Sequence, residues 1–274
     1  MFAANTLLFV PGARPDRFAK ARAAGAGITV IDLEDAVAPA DKVTAREAAL
    51  AEVERDPRAA ALRINGVRTP AGIADLAACA KATMLPPMLL VPMTETADEL
   101  AILVAALGDR CPALIPLIET PRGLRHALEV ARAPRVVAVM FGGADFAAEL
   151  GVELSWEPLL AARGNLILAC AEARVPAIDV PFVVLDDPEA LAQECRRARA
   201  LGFAAKAAIH PAQIAAIEAA FAPSPAELAE AEEALVAYRA GGERAIRFKG
   251  RMLEAPLVHR YRGILQKKGS PEHA

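Results

Sequence analysis

Eight short apolar runs alternate with helical patterns over the first 221 residues, and this alternation constrains the fold more than any other feature. The runs are Thr6–Val10, Ile28–Leu33, Ala61–Ile64, Met88–Val91, Ala113–Ile118, Val136–Phe141, Ala177–Asp179 and Ala204–Ile209. Continuous apolar runs of this kind are typical of parallel strands that are buried on both faces. Strands that alternate with helices build parallel sheets covered by those helices. The pattern therefore predicts an α/β fold.

The number of strands favours a closed barrel. A doubly wound open sheet also alternates strands and helices, so the pattern alone does not force closure. Eight strands in a chain of 274 residues agree better with a (β/α)8 TIM barrel, which typically has about 250 residues. We expect the barrel over residues 1–221. Residues 222–274 do not continue the alternation of strands and helices. They predict a C-terminal helical extension that packs over a barrel mouth of the same or a neighbouring subunit.

Composition excludes several classes of function. The net charge of −3 provides no basic excess for binding nucleic acid. No apolar run approaches the about 20 residues that a membrane-spanning helix needs, and the apolar start before Pro11 is interpreted as a strand rather than a signal peptide. The cysteines are scattered without a CxxC motif, which predicts a reduced, cytoplasmic protein. They are Cys79, Cys111, Cys170 and Cys195.

Polar residues follow the apolar runs where strands end. TIM-barrel active sites lie at the carboxyl-terminal ends of the strands. The residues at these ends include Asp32, Glu34, Asp35, Arg63, Glu119, Asp145, Asp179 and His210. Because a barrel would bring them to one rim, they predict an enzyme. For His210, which precedes Pro211, we favour a structural role as a helix cap.

Two of these carboxylates predict a magnesium site. Glu119 and Asp145 end neighbouring strands without Cys or His partners, and oxygen ligands of this kind suit Mg²⁺ rather than Zn²⁺. Such a site leaves positions open for a chelating 2-keto or 2-hydroxy acid. Arg63 suits bidentate binding of the substrate carboxylate. The alternative for Arg63 is a salt bridge with Glu34 or Asp35.

A basic cluster follows the first strand. Arg14, Arg17 and Lys20 have helical spacing. They could bind phosphates at the barrel mouth or simply form the solvated face of a helix, and spacing alone leaves both interpretations open.

Several motifs together resemble a known family. They are Leu8-Phe9-Val10-Pro11-Gly12, Asp32-Leu33-Glu34-Asp35-Ala36-Val37, Arg63-Ile64-Asn65, Ile118-Glu119-Thr120-Pro121-Arg122-Gly123, Phe141-Gly142-Gly143-Ala144-Asp145-Phe146 and Ala208-Ile209-His210-Pro211. On these motifs the chain resembles the citrate lyase β-subunit-like proteins of the HpcH/HpaI aldolase/citrate lyase family. The resemblance implies a barrel, usually trimeric, that binds Mg²⁺. It also implies cleavage or formation of carbon–carbon bonds in 3-hydroxy acids, often as citryl-, malyl- or citramalyl-CoA.

The resemblance also implies roles for individual residues. By position, Glu119 and Asp145 look like the family's metal ligands and Arg63 like its substrate-binding arginine. The basic cluster falls where relatives contact CoA or its phosphates. Two positions depart from the family pattern: Glu254 stands where CoA-lyase relatives have an Asp supplied to a neighbouring subunit, and Met93 stands at a usual Lys. These departures indicate an altered substrate.

The resulting hypothesis is a Mg²⁺-dependent retro-aldol or retro-Claisen lyase. A carboxylate base, either Glu254 from a neighbour or Glu34 or Asp35 at the rim, would remove the substrate hydroxyl proton. One alternative is the β subunit of a multi-subunit citrate lyase, which needs an acyl-carrier partner. Another is a non-catalytic barrel that binds a keto acid or CoA. We expect a homo-oligomer, specifically a trimer.

Overall fold

The computed structural model describes residues 2–58 and 60–268 of the chain. The chain forms two compact units that divide between Glu218 and Ala219. The first unit contains the strands of the barrel, and the second contains two long helices and a hairpin. Within the described ranges, no helix is both long enough and apolar enough to cross a membrane.

Eight parallel strands close into a barrel in chain order, which confirms the predicted TIM barrel. The strands are β1 (Thr6–Pro11), β2 (Ile28–Asp32), β3 (Ala61–Arg63), β4 (Met88–Val91), β5 (Ala113–Ile118), β6 (Val139–Phe141), β7 (Ala177–Asp179) and β8 (Ala205–Ala208). The barrel closes at β1, because Leu7 is paired with Ile28 of β2 on one side and with Ala207 of β8 on the other.

Helices surround the barrel. They are α1 (Phe18–Arg22), α2 (Lys42–Arg55), α3 (Pro70–Lys81), α4 (Ala97–Leu107), α5 (Pro121–Arg125), α6 (Ala127–Ala131), α7 (Gly143–Leu150), α8 (Trp156–Ala173), α9 (Pro188–Leu201) and α10 (Ile214–Phe221), which runs across the division between the units. The side chains of Thr69, Thr120 and Asp187 each accept a hydrogen bond from the backbone N–H three residues later. A proline follows each of these caps, so Thr-Pro and Asp-Pro pairs mark where helices begin.

The barrel interior is mainly aliphatic, in agreement with an aromatic content of only 4%. Leu7, Val30 and Ile115 belong to one cluster of fully buried side chains. Ala205 and Ala207 join this cluster from β8. Because side chains alternate across a strand, the residue between these two alanines points outward to the helices.

A buried ion-pair network connects the outer side of the barrel wall to α8 and α9. Lys206 Nζ lies 2.6 Å from Asp179 Oδ2 and 2.7 Å from Glu194 Oε1. Asp179 Oδ1 accepts a hydrogen bond from Arg163 Nε at 2.9 Å. The expectation that Asp179 faces the active-site rim is therefore wrong, because the neighbouring Ile178 occupies the inward position on β7.

The C-terminal unit has its own small core. It contains α11 (Pro225–Ala240), β9 (Ile246–Phe248), β10 (Arg251–Leu253) and α12 (Ala255–Lys268), with β9 and β10 paired as an antiparallel hairpin. Ala231, Tyr238, Leu253 and Tyr261 are buried together. The predicted extension is thus not purely helical. The hairpin turns at Lys249-Gly250, where both residues have positive φ angles.

Candidate active site

A cavity of about 400 Å³ opens at the carboxyl-terminal ends of the barrel strands. The polar side chains that line it are Asp32, Asp35, Arg63, Glu119 and Asp145. Its apolar lining includes Leu117, Met140, Leu154 and Val180. The structure therefore brings the two predicted metal ligands and the predicted substrate-binding arginine into one cavity.

Glu119 is the most buried acid of this cavity apart from Asp32. It follows the last residue of β5, and only 3% of its surface is exposed. Its Oε2 atom accepts a hydrogen bond from the backbone N–H of Met93 at 2.5 Å. Burial, and to a lesser extent the charge of Asp145, raises the pKa of Glu119 to about 7, although the bond from Met93 opposes the shift.

Gly142 makes room for the Glu119 side chain. A Cβ atom at this position would overlap Cγ of Glu119, because the backbone after β6 passes directly over the carboxylate. Position 142 therefore requires glycine, because any side chain would collide with Glu119.

Asp145 lies in the first turn of α7, a helix that the sequence analysis did not predict. Partial burial raises the pKa of Asp145, and the negative charge of Asp35 adds to the shift. Asp145 therefore faces the cavity from a helix N-terminus, whereas Glu119 faces it from a strand end.

Arg63 is held by carboxylates at the end of β3. Its Nε and Nη2 atoms each lie 2.6 Å from an oxygen of Asp32, in a bidentate pair. Its Nη1 atom lies 2.8 Å from Glu34 and 3.1 Å from Asp35. The guanidinium also stacks on Phe9, with Cζ 5.2 Å from the ring centroid. The contacts with Glu34 and Asp35 that the sequence left as an alternative are present, and Asp32 adds a bidentate salt bridge.

Asp32 was expected at this rim from the sequence, but no individual role was predicted for it. It ends β2 and is 1% exposed, and it also accepts hydrogen bonds from the backbone N–H groups of Glu34 and Ala36 at 2.9 and 3.2 Å. Its role could not be predicted, because two further acids follow it and the sequence does not show which of the three points inward.

The carboxyl group of Glu34, which contacts Arg63, has a strongly raised pKa. Burial raises its pKa to about 9, although the charge of Arg63 opposes the shift, and the charge of Glu119 adds to it. Asp35, by contrast, has a side chain that is 67% exposed. Glu34 and Asp35, two of the three acids proposed for catalysis, therefore lie at the rim in different environments.

The basic cluster is only partly assembled. Arg17 and Lys20 line a second cavity of about 520 Å³ beside β1, together with His210. Arg14 instead pairs with Asp16 at 2.7 Å on the surface. His210 accepts a hydrogen bond from Ala212 N–H at 3.2 Å and so caps the turn after β8, as predicted.

Glu254 belongs to the C-terminal unit. It lies between β10 and α12 and is exposed. Its backbone oxygen accepts a hydrogen bond from Val258 N–H at 3.0 Å. Its proposed action on a neighbouring barrel remains a prediction.

The donor set of the cavity fits a hard divalent cation. Among the described residues, no group of three or more His, Cys, Asp and Glu side chains is arranged around a common metal position. Glu119 and Asp145 nevertheless face one cavity in which Arg63 is the single cationic lining residue, and Arg63 is already neutralised by Asp32. Two carboxylates suffice for Mg²⁺, which keeps several waters or substrate oxygens.

A closed (β/α)8 barrel with buried acids and an arginine at this rim has the architecture of a TIM-barrel enzyme. Comparison with known families makes the assignment more specific. The chain belongs to the HpcH/HpaI aldolase/citrate lyase family, whose model matches residues 5–211. A model described as a C–C bond lyase of the TIM-barrel fold matches residues 171–262. The resemblance inferred from the sequence motifs is thus confirmed.

Three relatives are similar over most of the chain. A citrate lyase subunit beta-like protein of Mycobacterium tuberculosis is 37% identical over 96% of this chain and 94% of its own length. An L-malyl-CoA/beta-methylmalyl-CoA lyase of Cereibacter sphaeroides is 32% identical over 92% of this chain and 90% of its own. A (3S)-malyl-CoA thioesterase of the same species is 35% identical over 85% of this chain and 82% of its own.

A solved structure matches nearly all of this chain. CitE from Mycobacterium tuberculosis, in complex with magnesium, acetoacetate and coenzyme A, superposes with a TM-score of 0.85 at 34% identity. The match covers 98% of this chain and 99% of that one.

Proposed function

We propose that this protein is a Mg²⁺-dependent carbon–carbon lyase that acts on a 3-hydroxy acid or its CoA thioester, such as citryl-, malyl- or citramalyl-CoA. The observation that carries the proposal is the placement of Glu119 and Asp145 in one cavity beside Arg63. The lyase among the relatives and the magnesium and coenzyme A in the CitE complex support it.

Glu119 and Asp145 would hold the cation. When bound, Mg²⁺ supplies Lewis-acid polarisation of a substrate oxygen and lowers the cost of negative charge there. The buried position of Glu119 fixes one ligand before the substrate arrives, which removes reorganisation from the reaction itself.

Arg63 would bind the substrate carboxylate through one edge of its guanidinium. Asp32 occupies Nε and Nη2, so the substrate would approach Nη1. Asp35, which is mostly exposed, is the partner of Nη1 that can move away most easily. In this arrangement Asp32 fixes the orientation of Arg63, and Asp35 yields its place to the substrate.

Proton transfer requires one group that accepts and one that donates. A base takes the hydroxyl proton while the carbon–carbon bond breaks. The electron pair of the broken bond passes to the departing enolate, which is then protonated. Glu34, with a pKa of about 9, carries a proton at neutral pH and suits the donor role. The acceptor is then Asp35 or Glu254 of a neighbouring subunit, and a final transfer from acceptor to donor restores both groups.

The metal assignment predicts the effect of Glu119→Gln. This change keeps the shape of the side chain and removes its charge, so release of pyruvate, glyoxylate or oxaloacetate in the presence of Mg²⁺ should be abolished. A coupled dehydrogenase assay with citramalyl-, malyl- and citryl-CoA measures these products. Glu129→Gln, an exposed acid on α6, is the matched control and should retain wild-type turnover. Normal turnover by the Glu119 variant would contradict the assignment.

Thioester hydrolysis is a second candidate function, favoured by the similarity to the (3S)-malyl-CoA thioesterase. The products separate the two reactions, because a lyase converts malyl-CoA into glyoxylate and acetyl-CoA whereas a thioesterase yields malate and free CoA. Cleavage that occurs only on an acyl-carrier thioester would favour a citrate lyase β subunit. Tight binding of CoA esters without any cleavage would indicate a non-catalytic barrel.

A further inference from the structure

We propose that Arg68 is a positioning residue for the carboxylate of Glu119 and that it acts through the main chain of Met93. The inference rests on the proposed function, because it takes Glu119 as a ligand of Mg²⁺. Arg68 lies in the loop between β3 and α3 and does not line the cavity.

Met93 is bonded to both residues through its own backbone groups. Its N–H donates to Glu119 Oε2 at 2.5 Å. Its carbonyl oxygen accepts a hydrogen bond from Arg68 Nη2 at 3.1 Å. A rotation of the main chain at Met93 would therefore disturb both contacts, so the guanidinium and the carboxylate are linked through a single residue.

The backbone of Met93 needs such support. Its φ angle is 53°, in the left-handed region that residues with a Cβ atom rarely adopt. A disfavoured conformation of this kind persists where the surrounding contacts determine it. The N–H of Thr94 donates to the carbonyl oxygen of Leu117 at 3.2 Å. This N–H shares a rigid peptide unit with the Met93 carbonyl, so Leu117 and Arg68 hold the two sides of the same peptide plane.

Arg68 is itself oriented by a carboxylate. Its Nη1 atom lies 2.6 Å from Glu95 Oε2, and Glu95 Oε1 accepts a hydrogen bond from Thr120, the residue after Glu119. These contacts join the loops that follow β3, β4 and β5. The planar fork of arginine can bond to the carbonyl and the carboxylate at once, whereas lysine would supply charge without this geometry.

The test is Mg²⁺ binding by isothermal titration calorimetry. Arg68→Ala should raise the dissociation constant about tenfold, as expected when a group that orients a metal ligand is removed. Arg68→Lys, which keeps the charge, should recover only part of the loss. The direction of the change in the dissociation constant is diagnostic, because removing a positive charge near the site would by itself tighten binding of a cation.

A second variant tests the route through Met93. Glycine adopts positive φ angles without strain, so Met93→Gly should make the loop independent of Arg68. In that background Arg68→Ala should change the dissociation constant by less than about twofold, which is the scale of additivity error. Arg110→Ala is the control, since Arg110 also donates to two backbone carbonyls, those of Ala80 and Ala82, and it should leave Mg²⁺ binding unchanged.

The outcomes separate the two proposals. If Glu119→Gln loses Mg²⁺ binding but Arg68→Ala keeps it, the positioning role is wrong and the metal site stands. An equal loss from Arg68→Ala with and without Met93→Gly would also overturn the route through the main chain. If Glu119→Gln binds Mg²⁺ normally, the metal site itself is wrong.

Discussion

At the scale of single residues, the site combines carboxyl groups that lie in different environments. Glu119 is buried and Glu34 is partly buried, and both have raised pKa values, whereas Asp35 is largely exposed. The sequence indicated that these acids share a rim. It could not indicate which of them is desolvated, because burial depends on neighbours such as Arg63 and Phe9 that come from other strands.

The raised pKa of Glu34 predicts a pH dependence of stability. The folded protein retains a proton on Glu34 up to about pH 9, while the unfolded chain loses it near pH 4.5. Because the unfolded state then binds fewer protons, this group lowers the free energy of unfolding as pH rises through that interval. Glu34→Gln cannot titrate, so its stability should decline less with pH. Urea unfolding of the metal-free protein at several pH values measures the slope.

Glu129→Gln, which replaces an exposed acid on α6, is the control for this prediction and should reproduce the wild-type slope. A Glu34 variant with the same slope as the wild type would show that Glu34 is ionised in the folded protein.

At the scale of elements, most strand ends and helix starts could be read from the sequence. The side of a short strand that faces the barrel interior could not. The Thr120-Pro121 pair marks the start of α5, as expected. β7 has only three residues, too few for alternation to show which side faces the interior, so Asp179 was placed on the wrong side. The hairpin was missed for a related reason, because its strands are equally short and carry charged residues.

The buried network around Asp179 predicts a large effect on stability. Asp179→Asn keeps the shape of the side chain but leaves the guanidinium of Arg163, which is 1% exposed, without its carboxylate partner. Removing one member of a buried pair typically costs about 3–5 kcal/mol in the free energy of unfolding. Urea denaturation monitored by circular dichroism measures the loss.

The matched control is Glu172→Gln, which breaks the exposed pair with Arg132 and should cost at most about 1 kcal/mol. If the two variants lost equal stability, the buried network would contribute no more than a surface pair.

At the scale of the whole molecule, the chain divides into a barrel unit and a smaller C-terminal unit. The barrel was predictable because its strands are continuous apolar runs, and the resemblance to the family rests on motifs at their ends. The C-terminal unit was less predictable, because its core is small and its strands do not repeat the rhythm of the barrel.

The proposed role of Glu254 in a neighbouring subunit predicts complementation. Arg63→Ala and Glu254→Gln should each lower turnover by about 10²-fold or more, as for loss of a general acid–base or orienting group. Oligomers formed by coexpressing the two variants should recover activity, because some sites combine an intact barrel with an intact Glu254. Steady-state turnover of the purified mixed protein measures this recovery.

Coexpression of Arg63→Ala with Glu119→Gln is the control, since both changes lie in the barrel unit and no mixed site is intact. Lack of recovery in both mixtures would assign Glu254 to its own barrel or to no catalytic role.

The charge of the cavity has a kinetic consequence. Four carboxylates line it against a single guanidinium that Asp32 already neutralises. An anionic acid that entered before a metal ion would meet this negative field, and the Nη1 edge of Arg63 alone would offset it. For the proposed lyase the result is an ordered mechanism, in which the metal ion binds before the acid and the acid leaves before the metal ion.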